Sequence, residues 1–160
     1  MEQRVMADKL LDLSQNHGKT IAEQWYKAVT TNPRTSSFRK VPKDKLIAQA
    51  EAFFANLKQL YFSENPYREV QQFLERVGYV EYTYSLHIPL HENIYALIMM
   101  RRHIWLYAET QAMFNTSLDM WQAVESINRT LLLFDYTICI LAQKYAEKEP
   151  EILVTPAKRS

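Results

Sequence analysis

Glycine is almost missing from this sequence: Gly18 and Gly78 are the only two in 160 residues. Tight hairpins, phosphate-cradling loops and the turns of dinucleotide folds depend on residues without a Cβ, so the scarcity argues against all of them. Cysteine is scarcer still. Cys139 stands alone, which forbids an internal disulfide and suits a reducing compartment, and the chain is read as cytoplasmic. Charge of one sign is lacking too. The 19 basic and 18 acidic residues leave a formal +1, too weak a field to gather nucleic acid or an anionic membrane. The most apolar window, 130–142, is shorter than a bilayer span and is interrupted by Asp135, so no membrane insertion is expected. The N-terminus turns amphipathic at once, without the continuous apolar core a secretory signal requires.

What is present is material for helices. With 48% hydrophobic and 23% charged residues, the balance is that of a globular domain, and the length suits one core. Met6, Leu10, Leu13, His17, Ile21, Trp25 and Ala28 recur at steps of three or four, the mark of one amphipathic face, which Gly18 either splits or loosens. Asn32-Pro33 ends that run, and residues 32–42 read as a loop. A helix beginning at Pro42-Lys43-Asp44 carries Leu46, Ala50, Phe53, Leu57 and Leu60, with Phe54 and Tyr61 widening its buried face. Asn65 is a candidate N-cap with Pro66 at the first helical position of the next helix, which carries Val70, Phe73, Leu74 and Val77. Tyr79 to Leu86 is rich in β-formers, but no partner strand is evident, so the segment is expected to continue the helix.

Pro89 opens a long helix with the stripe Leu90, Ile94, Leu97, Arg101, Ile104 or Trp105, Ala108 and Ala112, ending near Phe114-Asn115. A last helix runs from about Ser117 to about Glu147, with Pro150 beyond it. The expected fold is therefore an all-α, single-domain helical bundle of about five or six helices with two long C-terminal ones, over 1–150, followed by a tail at 151–160.

The strongest pattern lies in the last helix. Met120, Val124, Ile127, Leu131, Phe134, Ile138, Leu141 and Tyr145 alternate steps of four and three, a 3.5-residue seam of the kind that packs helices at shallow angles. The Pro89 helix is the plain choice of partner for it. Self-pairing is the sharper one, with Val124, Ile127, Leu131, Phe134 and Ile138 as a dimer seam.

Motifs for chemistry are few. His87 and His91 have metal-ligand spacing, but Pro89 between them spoils a shared helical face, and no Glu-x-x-His motif accompanies them, so no metal site is assigned. Haem remains an alternative, because one helical histidine above an apolar pocket suffices for a globin-like domain. A small-ligand cavity would draw on His91 or His103 with Arg101 and Trp105. Arg101 falls near the apolar face, where a cation needs a partner. Asp135, on the flank of the last helix, is the expected one, and an anionic ligand is the functional alternative. No nucleophile motif or phosphate loop occurs, so the chain is expected to bind or sense rather than catalyse; a cleft where Arg101, His103 and Glu109 converge would argue otherwise.

Three stretches carry a family resemblance: Ile21-Ala22-Glu23-Gln24-Trp25; Ile88-Pro89-Leu90-His91-Glu92-Asn93-Ile94-Tyr95-Ala96-Leu97 running into Met100-Arg101-Arg102; and Ile127-Asn128-Arg129-Thr130-Leu131-Leu132-Leu133-Phe134-Asp135. Together they resemble the RsbRD-type N-terminal domain, the helical sensor module of bacterial stressosome co-antagonists and some sensor kinases. The resemblance implies a dimeric, globin-like or bundle fold that usually lacks haem, and a part in signal transduction and stress response through a partner or output domain. It transfers no ligand residues.

Overall fold

The computed structural model describes residues 9–111 and 116–149, and these fold into helices joined by short connections. The order is α1 (Lys9–Asn16), α2 (Gly18–Thr31), the 3₁₀ segment η1 (Pro33–Lys40), α3 (Lys43–Tyr61), α4 (Pro66–Val77), α5 (Tyr79–Ser85), α6 (Leu90–Thr110) and α7 (Ser117–Lys148). Among the described residues eight helical segments stand where five or six were expected for the chain. Met6, the end expected near Phe114-Asn115, and the tail at 151–160 lie outside the described residues.

Three local causes account for the higher count. His17 leaves helical geometry at φ −122°, ψ 22°, and so separates α1 from α2. Gly18 then opens α2, where a Cβ would come within 3.2 Å of Phe54 Cβ, so the glycine permits the close crossing of α2 on α3. At the second break the expected loop coils into 3₁₀ turns, because Asn32 Oδ1 accepts from the Arg34 amide at 2.9 Å and Pro33 presets the first turn. This correction matters for the core: η1 buries Phe38 completely. The third break is Gly78, left-handed at φ 68°, which caps α4 and lets α5 start in a new direction. The segment after Gly78 is helical, but as a separate helix.

α5 ends in a Schellman motif. The His87 amide donates to Tyr84 O at 2.9 Å and the Ile88 amide to Thr83 O at 3.1 Å. The left-handed position, usually glycine, is held by His87 at φ 59°. His87 is therefore a helix terminator, one residue before buried Ile88.

The core is the one the periodicities mark, with shifts. Leu10, Leu13, Ile21 and Trp25 are buried as expected, whereas His17 is exposed and Val29 rather than Ala28 faces inward. On α3 the five expected residues and Phe54 are buried, and Phe53 meets Phe134 of α7 edge-on at 5.1 Å. Trp25 Nε1 donates to Ala96 O at 2.8 Å, fixing α2 against α6. Near the bundle's other end, Tyr79 Oη donates to Asn93 Oδ1 at 2.6 Å, while Asn93 Nδ2 donates to Thr83 Oγ1 at 2.8 Å and Tyr145 Oη at 3.2 Å. Tyr145 Oη donates onward to Ile88 O at 2.9 Å, so this buried polar cluster is internally satisfied and ties α5, α6 and α7 together.

Candidate functional site

The seam read from the last helix does not coincide with that helix's buried face. α7 packs on α1, α3, α4, α5 and α6, and it turns Ala123, Ser126, Thr130, Leu133, Phe134, Thr137, Ile140, Leu141 and Tyr145 inward. In the C-terminal half the two patterns overlap at Phe134, Leu141 and Tyr145. In the N-terminal half they part, because the inward positions are small or hydroxylic and the large apolar residues lie around the helix from them. Leu118, Met120, Trp121 and Val124 are 53–68% exposed, and Ile127, Leu131 and Ile138 are half-buried at the margin. Phe134, fully buried, belongs to the core and not to a free seam.

The inward hydroxyls are each accounted for. Ser126 Oγ accepts from the Leu10 amide at 3.0 Å, holding the start of α1, and Thr130 and Thr137 donate to the carbonyls four residues back at 2.9 and 2.8 Å. The first half of α7 is thus held by small-residue packing and by the Ser126 bond to α1, with its apolar bulk outside.

Beside this face runs a groove of about 380 Å³ between α6 and α7, floored by Leu10, Ile104 and Thr130. Its α6 wall is Ile98, Arg101, Arg102 and Trp105, spaced as a second stripe away from the buried Ala96, Leu97, Met100, Ile104 and Ala108. Its α7 wall is Ile127 and Leu131. Arg101 accordingly stands on the flank of α6, with Nη1 3.7 Å from Asp135 Oδ1, the partner expected from the sequence.

Of the four candidate ligand residues, the groove brings Arg101 and Trp105 together and leaves the histidines elsewhere. His103 Nδ1 lies 2.8 Å from Met99 O, a bond that requires the proton on Nδ1. His91 is exposed at a separate hollow of about 600 Å³ with Pro33, Arg34, Ser36, Glu92 and Tyr95. There the buried Glu92 carboxylate is engaged by Ser37, whose amide and hydroxyl donate at 3.0 and 2.5 Å. Arg101, His103 and Glu109 share no cleft that their helix would allow, since residues two apart on a helix face nearly opposite sides. The seam expectation left open whether the partner was the Pro89 helix or a second copy; exposed Val124 lay on it, whereas exposed Leu118 and Trp121 lay outside the repeat and were missed.

Among the described residues one cavity inside the bundle, lined by Phe53, Phe73, Leu74, Leu97 and Met100, has a volume of about 20 Å³, room for one water. Among the described residues no three His, Cys, Asp or Glu side chains converge as a metal group, and no helix is long and apolar enough to cross a membrane. Compared with family models, with curated proteins and with solved structures, the chain has no match.

Proposed function

We propose that this chain is a non-enzymatic, signal-receiving module that acts as a homodimer through the exposed N-terminal half of α7, beside the α6–α7 groove. One observation carries the reading: the first half of α7 is apolar on the side facing water and small or hydroxylic on the side facing the core. A contiguous apolar face of this kind marks an interaction surface, and four of the five exposed large hydrophobics among the described residues lie on it, Leu106 being the fifth. A second copy suits it, because a twofold axis would set the same stripe against itself and supply the 3.5-residue packing that the sequence encodes.

The resemblance to RsbRD-type sensor domains supports the same reading, including a globin-like arrangement, a cytoplasmic setting, a bacterial stress-response role and a separate signalling partner. Haem or another interior ligand is the weaker alternative, since a cavity of about 20 Å³ would have to be enlarged by moving Phe53 and Phe73. Sedimentation equilibrium tests the proposal. The expected result is a dimer at micromolar concentration that Val124→Asp and Leu131→Asp convert to monomer. A monomer at every concentration, or a dimer indifferent to both changes, would refute it.

A further inference from the structure

We infer that the α6–α7 groove binds an amphipathic carboxylate, a straight-chain fatty acid in the simplest case, with its acid group on Arg101 and Arg102 and its chain along Ile98, Trp105, Ile127 and Leu131. The inference rests on reading this face as the working surface.

The lining decides the ligand class. Among the described residues it holds two guanidiniums, one hydroxyl and no carboxylate, and the other side chains are apolar. The Thr130 hydroxyl already donates to Ser126 O. What the groove offers a ligand is therefore cationic donors at one edge and hydrocarbon elsewhere. Inorganic phosphate would meet the arginines and leave the apolar walls wet. A neutral hydrocarbon would dry the walls and leave two cations unmatched. A molecule with a carboxylate at one end and an alkyl chain at the other satisfies both, and about 380 Å³ is within the range of small-molecule sites.

The arginines are also available. Arg101 reaches Asp135 only at 3.7 Å, longer than a hydrogen bond, and Asp135 keeps 63% of its side chain in water. A ligand carboxylate can take the guanidinium in a bidentate pair without breaking a buried one. Arg102 is exposed, and no ion pair joins it to another described residue. Beneath them the floor is dry: Leu10, Ile104 and Thr130 are buried. Ile127 and Leu131 lead from the groove toward exposed Val124, so a longer chain finds more apolar surface in that direction.

Isothermal titration calorimetry on the full chain tests this with octanoate, decanoate and dodecanoate below their micelle concentrations, and with decyltrimethylammonium, which carries the opposite charge on a decyl chain. One carboxylate should bind per chain, tightening roughly tenfold for each two methylenes added. Decyltrimethylammonium should bind at least tenfold more weakly than decanoate. Arg101→Gln/Arg102→Gln should weaken decanoate tenfold or more, and the wild-type ligand series stands without it should that variant misfold. Absence of saturable carboxylate binding, equal affinity for the cation, or an unchanged folded double variant would overturn the inference. So would sedimentation with phosphatidylglycerol vesicles in place of binding to the monomeric acids, which would assign the arginines to a bilayer surface. Sedimentation equilibrium run alongside separates the two readings: a dimer that ignores decanoate sinks the ligand site alone, and a monomer that binds it sinks the dimer alone.

Discussion

The Arg101 guanidinium stands 3.7 Å from the Asp135 carboxylate, on neighbouring helices, and Asp135 is 63% exposed. A solvated pair at that distance contributes little, because water screens the attraction and two long side chains lose freedom to keep it. Asp135→Asn should therefore change unfolding free energy by less than about 0.5 kcal/mol. Urea titrations of both proteins check this; a loss of several kcal/mol would show that the pair organises α6 on α7.

His87 gives a prediction of increased stability. A β-carbon in the left-handed region is strained by about 1–2 kcal/mol, part of which glycine returns as chain entropy in the unfolded state. His87→Gly should stabilise the fold by about 0.5–1 kcal/mol and raise Tm by about 2 °C. Differential scanning calorimetry would read it, and a lowered Tm would mean that the imidazole makes a contact worth more than the strain.

Tyr145→Phe removes the hydroxyl that donates to Ile88 O and accepts from Asn93 Nδ2. Leaving those buried partners unmatched should destabilise the chain by about 1–3 kcal/mol, measured by urea unfolding. Because the same hydroxyl joins α7 to the α5–α6 turn, amide exchange should rise first around Ile88.

Burial raises the Tyr79 hydroxyl well above its ordinary value of 10.0, with Tyr145 adding to the shift. The sign follows from which state holds the proton. Above pH 10 the unfolded chain ionises Tyr79 while the native chain keeps it neutral, so the unfolded state binds fewer protons and stability falls. The stabilisation is complete below pH 10 and declines above it by up to about 1.4 kcal/mol per pH unit. Tyr79→Phe, though less stable at neutral pH for want of the bond to Asn93, should show a shallower alkaline decline; an identical slope would place the dependence in another group.

Val124→Asp separates folding from association. Val124 is exposed, so the monomer's stability should change by no more than about 0.5 kcal/mol, while the dimer should weaken tenfold or more. Denaturant curves at low concentration and sedimentation at high concentration check the two halves.

Helix periodicity was legible wherever one face alone is buried. Leu46, Ala50, Phe53, Leu57 and Leu60 are all in the core, as spaced. Punctuation by proline and asparagine was legible as well, at Asn65-Pro66 and Pro89. Left-handed geometry at His87 was not, since a histidine in sequence does not mark that conformation as a glycine does. Phe38 escaped because a 3₁₀ turn of eight residues has no apolar repeat to read. The Arg101–Asp135 pairing was foreseen from helix flanks, and so were Arg101 and Trp105 as ligand-facing residues; the α7 wall of the groove and the absence of His91 and His103 from it were not, because a stripe on each helix says nothing of the shape of the gap between them. The α7 seam shows the limit most plainly: a repeat records that residues pack, and not whether the partner belongs to the same molecule.

At 32 residues, α7 is roughly 48 Å long at 1.5 Å per residue. Its C-terminal half is clamped by Tyr145 and Phe134, while its N-terminal half carries the groove wall. A rod mounted in this way is a lever. With the C-terminal half fixed, a tilt of about 5° about Phe134 carries the N-terminal end through roughly 2 Å. Whatever lodges against Ile127 and Leu131 thus bears on the middle of the same unbroken helix that ends at Lys148.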